Sequence, residues 1–320
     1  MVRSGTADVL STPDRQAVQA FLATARPDGC ARLSGALPNL GKATEAAAAH
    51  DSSIVGYARA VEASTGYIVD CAADDPAIRE QLVGSLIAGL PDGVAVTWWA
   101  HENPSDSALA TSLSMQPPHR RLLNMSRPLP FEPTSAMIDQ EVSVRPFVVG
   151  RDEAAWLQVN NAAFSWHGEQ GDWDLATLRA RMSEPWCDHM GFLLHERDSR
   201  LAAFCWTKVH QPDSAGTEVT GEIFVIAVHP DFHGLGLGRA LTVAGLRHLN
   251  LTGATRARLY VESDNVAAVR LYESLGFRTT HTDIAFYRPA LYRPASYRPA
   301  FQRLAFQRPA SQRQGTGDEK

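Results

Sequence analysis

GEIFVIAVHPDFHGLGLGRALTVAGL, residues 221–246, is the stretch that decides the fold. An apolar run of strand character at 222–228 passes through Pro230 into a short loop holding Gly234, Gly236 and Gly238. A helical pattern follows over 238–249, where Leu241, Ala244 and Leu249 share one face and Gly245 permits close packing. Glycines without a Cβ let a ligand approach the backbone N–H groups. Such groups, gathered at a helix N-terminus, form an anion site suited to a pyrophosphate.

The known phosphate loops fit this stretch badly. A Walker loop requires Lys and Ser or Thr after its last glycine, where Arg239 and Ala240 stand. A dinucleotide loop requires its first glycine directly after the strand, a third glycine three residues past the second, and an acid about 20 residues on. Here five residues separate strand from Gly234, Arg239 stands at the third-glycine position, and Arg258 stands where the acid belongs. A glycine-rich turn with a purely structural role is the remaining general reading.

Downstream, LYVESDNVAAVRLYESLGF (259–277) reads as a strand at 258–262 and a helix at 265–274, with Asn265 as N-cap and Gly276 as the stop. Tyr272 lies two turns beyond Asn265 on the same face. Residues 277–287 supply the last strand or two. Upstream, strands are expected at 144–148, 191–196 and 201–210, and helices at 153–163 and 175–182. The order is mixed α/β around one central sheet.

Val228-His229-Pro230 followed by His233-Gly234-Leu235-Gly236-Leu237-Gly238 resembles the acetyl-CoA loop of the GNAT acetyltransferases, with His233 where that family usually carries Gln or Arg. The segment 259–277 resembles the same family's fifth strand and following helix. The resemblance implies an acyl-CoA-dependent N-acetyltransferase domain over 141–287, with acetyl-CoA as co-substrate and no metal. It implies cofactor contacts from Ile226, Ala227 and Val228 on the strand, and from His233, Gly234, Leu235, Gly236, Leu237, Gly238 and Arg239 in the loop. Asn265, Val266, Ala267, Ala268, Val269 and Arg270 complete the set, with Asn265 beside the pantetheine arm and Tyr272 beside the thioester sulfur.

NNAAFSWHGEQGDW (160–173), EPWCDHMGFLL (184–194), FCWTKVH (204–210) and GEIFVIAV (221–228) are similar to one branch, the mycothiol synthases, which carry two tandem GNAT domains with the second active. TWWAHENPSDSALA (97–110) and LLNMSRPLP (122–130) extend the resemblance into the first half. Gly168 stands where that branch usually has Pro, and Ala203 where it has Gly. The implied substrate is a small thiol pseudo-disaccharide, cysteinyl-glucosaminyl-inositol, acetylated on its cysteinyl amine. Glu222 is the implied base, Tyr272 the acid, and Glu169, Lys208 and Tyr260 join Glu222 in facing the substrate. Glu222 opens an apolar strand in period-2 register with Phe224, Ile226 and Val228. Two alternatives stay open: another GNAT enzyme acting on a protein N-terminus or small amine, and a CoA-binding regulatory module without turnover.

The first half is less legible. Residues 43–49 and 54–63 look helical or mixed, 66–71 and 94–100 look like strands, and 76–90 and 108–113 like helices. That order echoes the second half and points to an internal duplication, with residues 1–130 as a degenerate, structural GNAT-like domain. DDPAIREQLVGSLIAGL (74–90) sits where a CoA loop would be, yet offers only Gly84. Pro128, Pro130 and Pro133 read as a join, with residues 131–140 as the linker.

The 320 residues suit two ordinary domains, and 44% hydrophobic with 20% charged residues is a globular composition. Net charge is −5, and residues 288–320 carry +5, so the rest carries −10, which argues against a nucleic-acid footprint. No apolar run is long enough for a membrane span, and residues 1–16 lack the apolar core of a signal peptide. Cys30, Cys71, Cys187 and Cys205 are scattered, which suits free thiols in a reducing cytoplasm. His167 and His210 lie in separate segments without a third ligand, so no metal site is expected between them. A monomer is expected. Residues 288–320 repeat a proline-bearing pentamer and are expected to be a low-complexity tail.

Overall fold

The first half of the chain runs β1 (Asp8–Leu10), α1 (Arg15–Thr24), β2 (Ala43–His50), β3 (Ser53–Ala63), β4 (Gly66–Ala73), α2 (Pro76–Gly89), β5 (Val96–His101), α3 (Pro104–Ser112) and β6 (Gln116–Pro128). The second runs β7 (Arg145–Pro146), α4 (Glu153–Ala163), α5 (Leu175–Met182), β8 (Phe192–Arg197), β9 (Arg200–Val209), β10 (Thr220–Val228), α6 (Leu237–Leu251), β11 (Arg256–Glu262), α7 (Val266–Ser274) and β12 (Arg278–Arg288). This computed structural model describes residues 8–10, 14–24, 43–50, 53–63, 65–132, 142–165, 170–210 and 218–290. The repeat tail beyond 290 and most of the expected linker lie outside the described residues.

Twelve strands form one mixed sheet, ordered β1-β2-β3-β4-β5-β12-β6-β11-β10-β9-β8-β7. The series β2-β3-β4-α2-β5-α3-β6 is repeated as β8-β9-β10-α6-β11-α7-β12, the duplication that the element order suggested. The halves do not own separate sheets, because their last strands are exchanged. β6 of the first half lies against β11 of the second, β12 of the second lies against β5 of the first, and β6 and β12 pair with each other.

Residues 43–49 and 54–63 are strands, not helices. The runs of alanine favour helix locally, but Ala47, Ala48, Ala58 and Ala60 are fully buried in a sheet covered on both faces. With both faces buried there is no polar alternation to read. Of the strand expected at 144–148, only Arg145–Pro146 forms. β1, α1 and β6 were not foreseen. The expected linker starts as packed structure: Phe131 is buried, and its backbone is held at both N–H and carbonyl by the Asn250 side chain on α6, each at 3.2 Å.

One face of the sheet carries α2 and α3 over the first half and α6 and α7 over the second. Gly245 lets α6 approach, since a Cβ there would stand 2.7 Å from both Cys205 Sγ and Ile223 Cδ1. The other face carries α1 at one end and α4 with α5 at the other, the latter over an aromatic core of Trp156, Phe192, Phe204 and Trp206. Between these patches the central strands present charged and aromatic side chains. Arg59–Asp70, Arg120–Glu262 and Arg258–Glu222 are ion pairs there, and Arg120 lies 4.9 Å over Trp99.

Candidate active site

Parallel pairing of β10 with β11 covers only Thr220–Ile223 against Arg256–Leu259. Both strands continue, β10 bonded to β9 as far as Val228–Ala203 and β11 bonded to β6 as far as Glu262–Leu122. They therefore splay, and the edge of residues 224–228 faces the gap with no strand on it. A slot of that kind admits an extended chain that bonds to backbone, as an added strand would. A bulge between Ile223 and Val225 sits where the strands part. It puts Phe224 and Val225 both toward the α4–α5 core and turns Ile226 and Val228 toward the α6 side. The expected single register of Glu222, Phe224, Ile226 and Val228 thus fails after Phe224, because the extra residue shifts the alternation.

The glycine loop stands at the end of β10. Gly234 and Gly236 have φ of +78° and +72°, and Gly236 is the N-cap of α6, with no side-chain cap bond. The helix's own ladder begins with Ala240 N–H to Gly236 O. The N–H groups of the first helical turn precede that bond, as an anion site requires. The His233 ring is turned back, its Nε2 3.0 Å from the Val228 carbonyl.

On the other wall Asn265 caps α7, accepting from the Ala268 N–H at 3.2 Å, and Val266 to Arg270 form its opening turns. Tyr272 is buried beside Phe277 and the Cys205 thiol. Burial, helped by that thiol, pushes its phenol well above the usual tyrosine range, so it stays protonated. Burial pushes the thiols of Cys205 and Cys187 up to about 12 and about 11, so neither is a nucleophile near neutral pH.

Glu222 is the buried centre of a charged row across three strands, with Lys208 on β9 and Arg258 on β11 directly opposite it. Its Oε2 accepts from Arg258 Nε at 3.1 Å and lies 2.6 Å from His210 Nε2. Burial opposes the charge, but Arg258, His210 and Lys208 outweigh it and hold the carboxyl well below the usual carboxylate range. Burial pushes His210 down, so its imidazole is neutral at pH 7 despite Glu222. Lys208 is also pushed down by burial, its Nζ 4.9 Å over the Trp186 ring. Tyr260 lies on β11 opposite Asn124 of β6, its phenol raised by burial. Glu169 and His167 fall outside the described residues.

His210 and Arg258 were missed from the sequence as site residues. His210 was legible, being two residues after Lys208 and thus on the same strand face. Arg258 was not, because its place beside Glu222 depends on the register of two strands 36 residues apart. The first half lacks the corresponding loop: α2 follows β4 after two residues, and its N-terminus is capped by the Asp75 carboxylate, which accepts from Ala77 N–H at 2.8 Å. A fixed carboxylate at that helix end repels a phosphate.

The acetyltransferase (GNAT) family profile matches residues 155–277. The chain is 44% identical over 210 residues to the mycothiol acetyltransferase of Thermobispora bispora, covering 65% of this chain and 71% of the relative. It is 41% identical over 263 residues to the mycothiol acetyltransferase of a Parafrankia species, covering 75% and 81%. Among solved structures it superposes on a GCN5-related N-acetyltransferase from Sphaerobacter thermophilus with TM-score 0.61 at 17% identity, over 90% of this chain and 96% of that one. A tandem GNAT protein from the clavulanic acid biosynthesis pathway gives TM-score 0.60 at 12% identity, over 90% and 99%. The two structures share the fold.

Proposed function

The chain belongs to the mycothiol acetyltransferase family of GNAT enzymes, and from that premise we propose that it transfers the acetyl group of acetyl-CoA to the cysteinyl amine of a cysteinyl-glucosaminyl-inositol. The products are the N-acetylated thiol, mycothiol, and CoA. The observation that carries this reading is the splay of β10 from β11 directly beside the buried Glu222. In this reading the α6 N-terminus takes the pyrophosphate, the exposed edge of 224–228 takes the pantetheine, and the thioester lies between Glu222 and Tyr272. Asp75 at the corresponding helix of the first half leaves one productive acetyl-CoA site per chain, with that half in a structural role.

The acceptor amine titrates near about 7.7–8.0 as an α-amino group, so it arrives largely as ammonium. Glu222 attracts that charge, since Arg258 keeps its carboxylate ionised. For the same reason Glu222 alone is a weak proton acceptor. The proton lost by the attacking nitrogen goes to the Glu222 carboxylate and from there to solvent, while His210, its Nε2 2.6 Å from Oε2, helps Arg258 hold that carboxylate in place. Tyr272 stands on the leaving side. A thiol ionises near about 8.5 and a tyrosine near about 10, and the Tyr272 phenol is raised further. Tyr272 therefore stabilises the CoA thiolate by donating a hydrogen bond rather than by giving up its proton.

An acceptor screen with acetyl-CoA and detection of released thiol tests the reading. Turnover on the cysteinyl pseudo-disaccharide and not on peptides or simple amines is expected. Preference for peptide N-termini, or acetyl-CoA binding with no turnover on any acceptor, overturns it.

A further inference from the structure

On the exchanged strands, away from Glu222, a second polar cluster lies on the same face of the sheet. His281 and Asp283 are alternate residues of β12, and His101 is the direct cross-strand partner of Asp283 on β5. Alternate residues of a strand share a face, so the three side chains converge. His101 Nδ1 is 2.7 Å and His281 Nε2 is 3.9 Å from Asp283 Oδ1, and one ligand atom from each residue lies within 4.8 Å of the others. The two imidazoles meet edge to face with centroids 4.9 Å apart.

Charge sets this cluster apart. Asp70, Glu262 and Glu222 on this face each pair with a guanidinium, from Arg59, Arg120 and Arg258. Asp283 is equally buried, but its ion partners are two imidazoles, which carry charge only when protonated. A buried carboxylate requires a positive partner; Asp283 draws His101 toward its charged form, and a divalent cation held by both imidazoles would supply the positive charge without a proton.

We propose that His101, His281 and Asp283 form a binding site for a divalent transition-metal ion, one per chain, assembled only where the two halves exchange strands. Two imidazole nitrogens and one carboxylate oxygen are a donor set for Zn2+ or Co2+. Tetrahedral ligands at about 2.0–2.1 Å from zinc stand about 3.3 Å apart. The observed 2.7 and 3.9 Å bracket that spacing, so the His101 contact opens slightly and the His281 contact closes. The His101 side chain is 36% exposed, which leaves the fourth position to water. The site shares no residue with those assigned to acyl transfer, although Asp283 lies near enough to Tyr260 for its charge to act on that phenol, and it stands or falls independently of that assignment.

The test uses the full chain, stripped with chelator and titrated with Co2+ and Zn2+. One equivalent of Co2+ should give the visible bands of a tetrahedral nitrogen–oxygen site without a sulfur charge-transfer band, and Zn2+ should raise Tm. D283N and H281Q should each weaken Zn2+ binding at least tenfold in calorimetry. H195Q, at an exposed histidine bonded to the Ser143 carbonyl, should bind like the parent. Melting curves of the metal-free variants show whether they fold. A folded D283N and H281Q that bind as tightly as the parent, a sulfur charge-transfer band, or no saturation of the parent below about 100 µM, a binding energy of only about 5–6 kcal/mol, overturns the proposal.

Discussion

At the scale of the residue, the decisive fact is that Glu222 does not stand alone. E222Q keeps its shape and removes its charge, and kcat/KM should fall by roughly 10²–10⁴-fold, the range for general acid–base catalysis. The loss should be largest at about pH 6–7 and shrink above about pH 8.5, following the acceptor amine near about 7.7–8.0. Because the Glu222 carboxyl is depressed, its charged form is present throughout that range, and its own titration adds no limb to the profile. Y272F should lower the rate at every pH up to about 9. A pH–rate profile of parent and variants checks both, and E222Q within threefold of the parent at pH 6.5 would remove Glu222 from the chemistry. R258M tests the pairing itself. Leaving Glu222 buried without its guanidinium should destabilise the fold by about 3–5 kcal/mol at pH 7. Adding E222Q should restore part of that loss, as urea unfolding of the two single variants and the double variant would show.

At the scale of the element, the glycine loop and the α6 contact make different demands. Gly236 has φ +72°, a region closed to β-branched residues, and it opens the proposed phosphate site. G236V should abolish turnover and acetyl-CoA binding by calorimetry, while far-ultraviolet circular dichroism keeps its sheet and helix content. Gly245 serves packing alone. G245V would press side-chain carbon into Cys205 and Ile223, so Tm should fall, reflecting about 1–3 kcal/mol of overpacking. Helices α4, α5 and α7 were legible to within a residue or so, because their apolar spacing and end residues agree. Asn265 does cap α7, and Gly276, with φ +86°, does follow its end. The alanine-rich β2 and β3 were misread because helix propensity is a weak local bias. Pairing on both sides and burial on both faces override it.

At the scale of the whole molecule, strand exchange joins the halves. A chain beginning at residue 142 lacks β6, so β11 and β12 each lose a neighbour. Expressed alone it should be aggregated or unfolded, since it exposes unpaired strand edges. A chain ending at Ala290 keeps all twelve strands, β12 ending at Arg288. It should match the full chain in Tm and turnover. A soluble, active fragment 142–290, or a severalfold loss on removing 291–320, would contradict this account of the assembly.

The sequence by itself determined what rests on neighbours in the chain: the strand–glycine loop–helix unit, the Asn265 cap, the seven-residue step to Tyr272, and the family resemblance built on them. Local backbone sterics and helix periodicity are written within a few residues of each feature. Only the tertiary structure decided the relations between distant segments. The bulge at Phe224 turns Ile226 and Val228 away from the Glu222 face, and the β10–β11 register sets Arg258 against Glu222. The exchange of β6 and β12 brings His101 from one half to His281 and Asp283 of the other. A strand's partner is chosen by the packing of the whole sheet, and no window of sequence contains both sides of that choice.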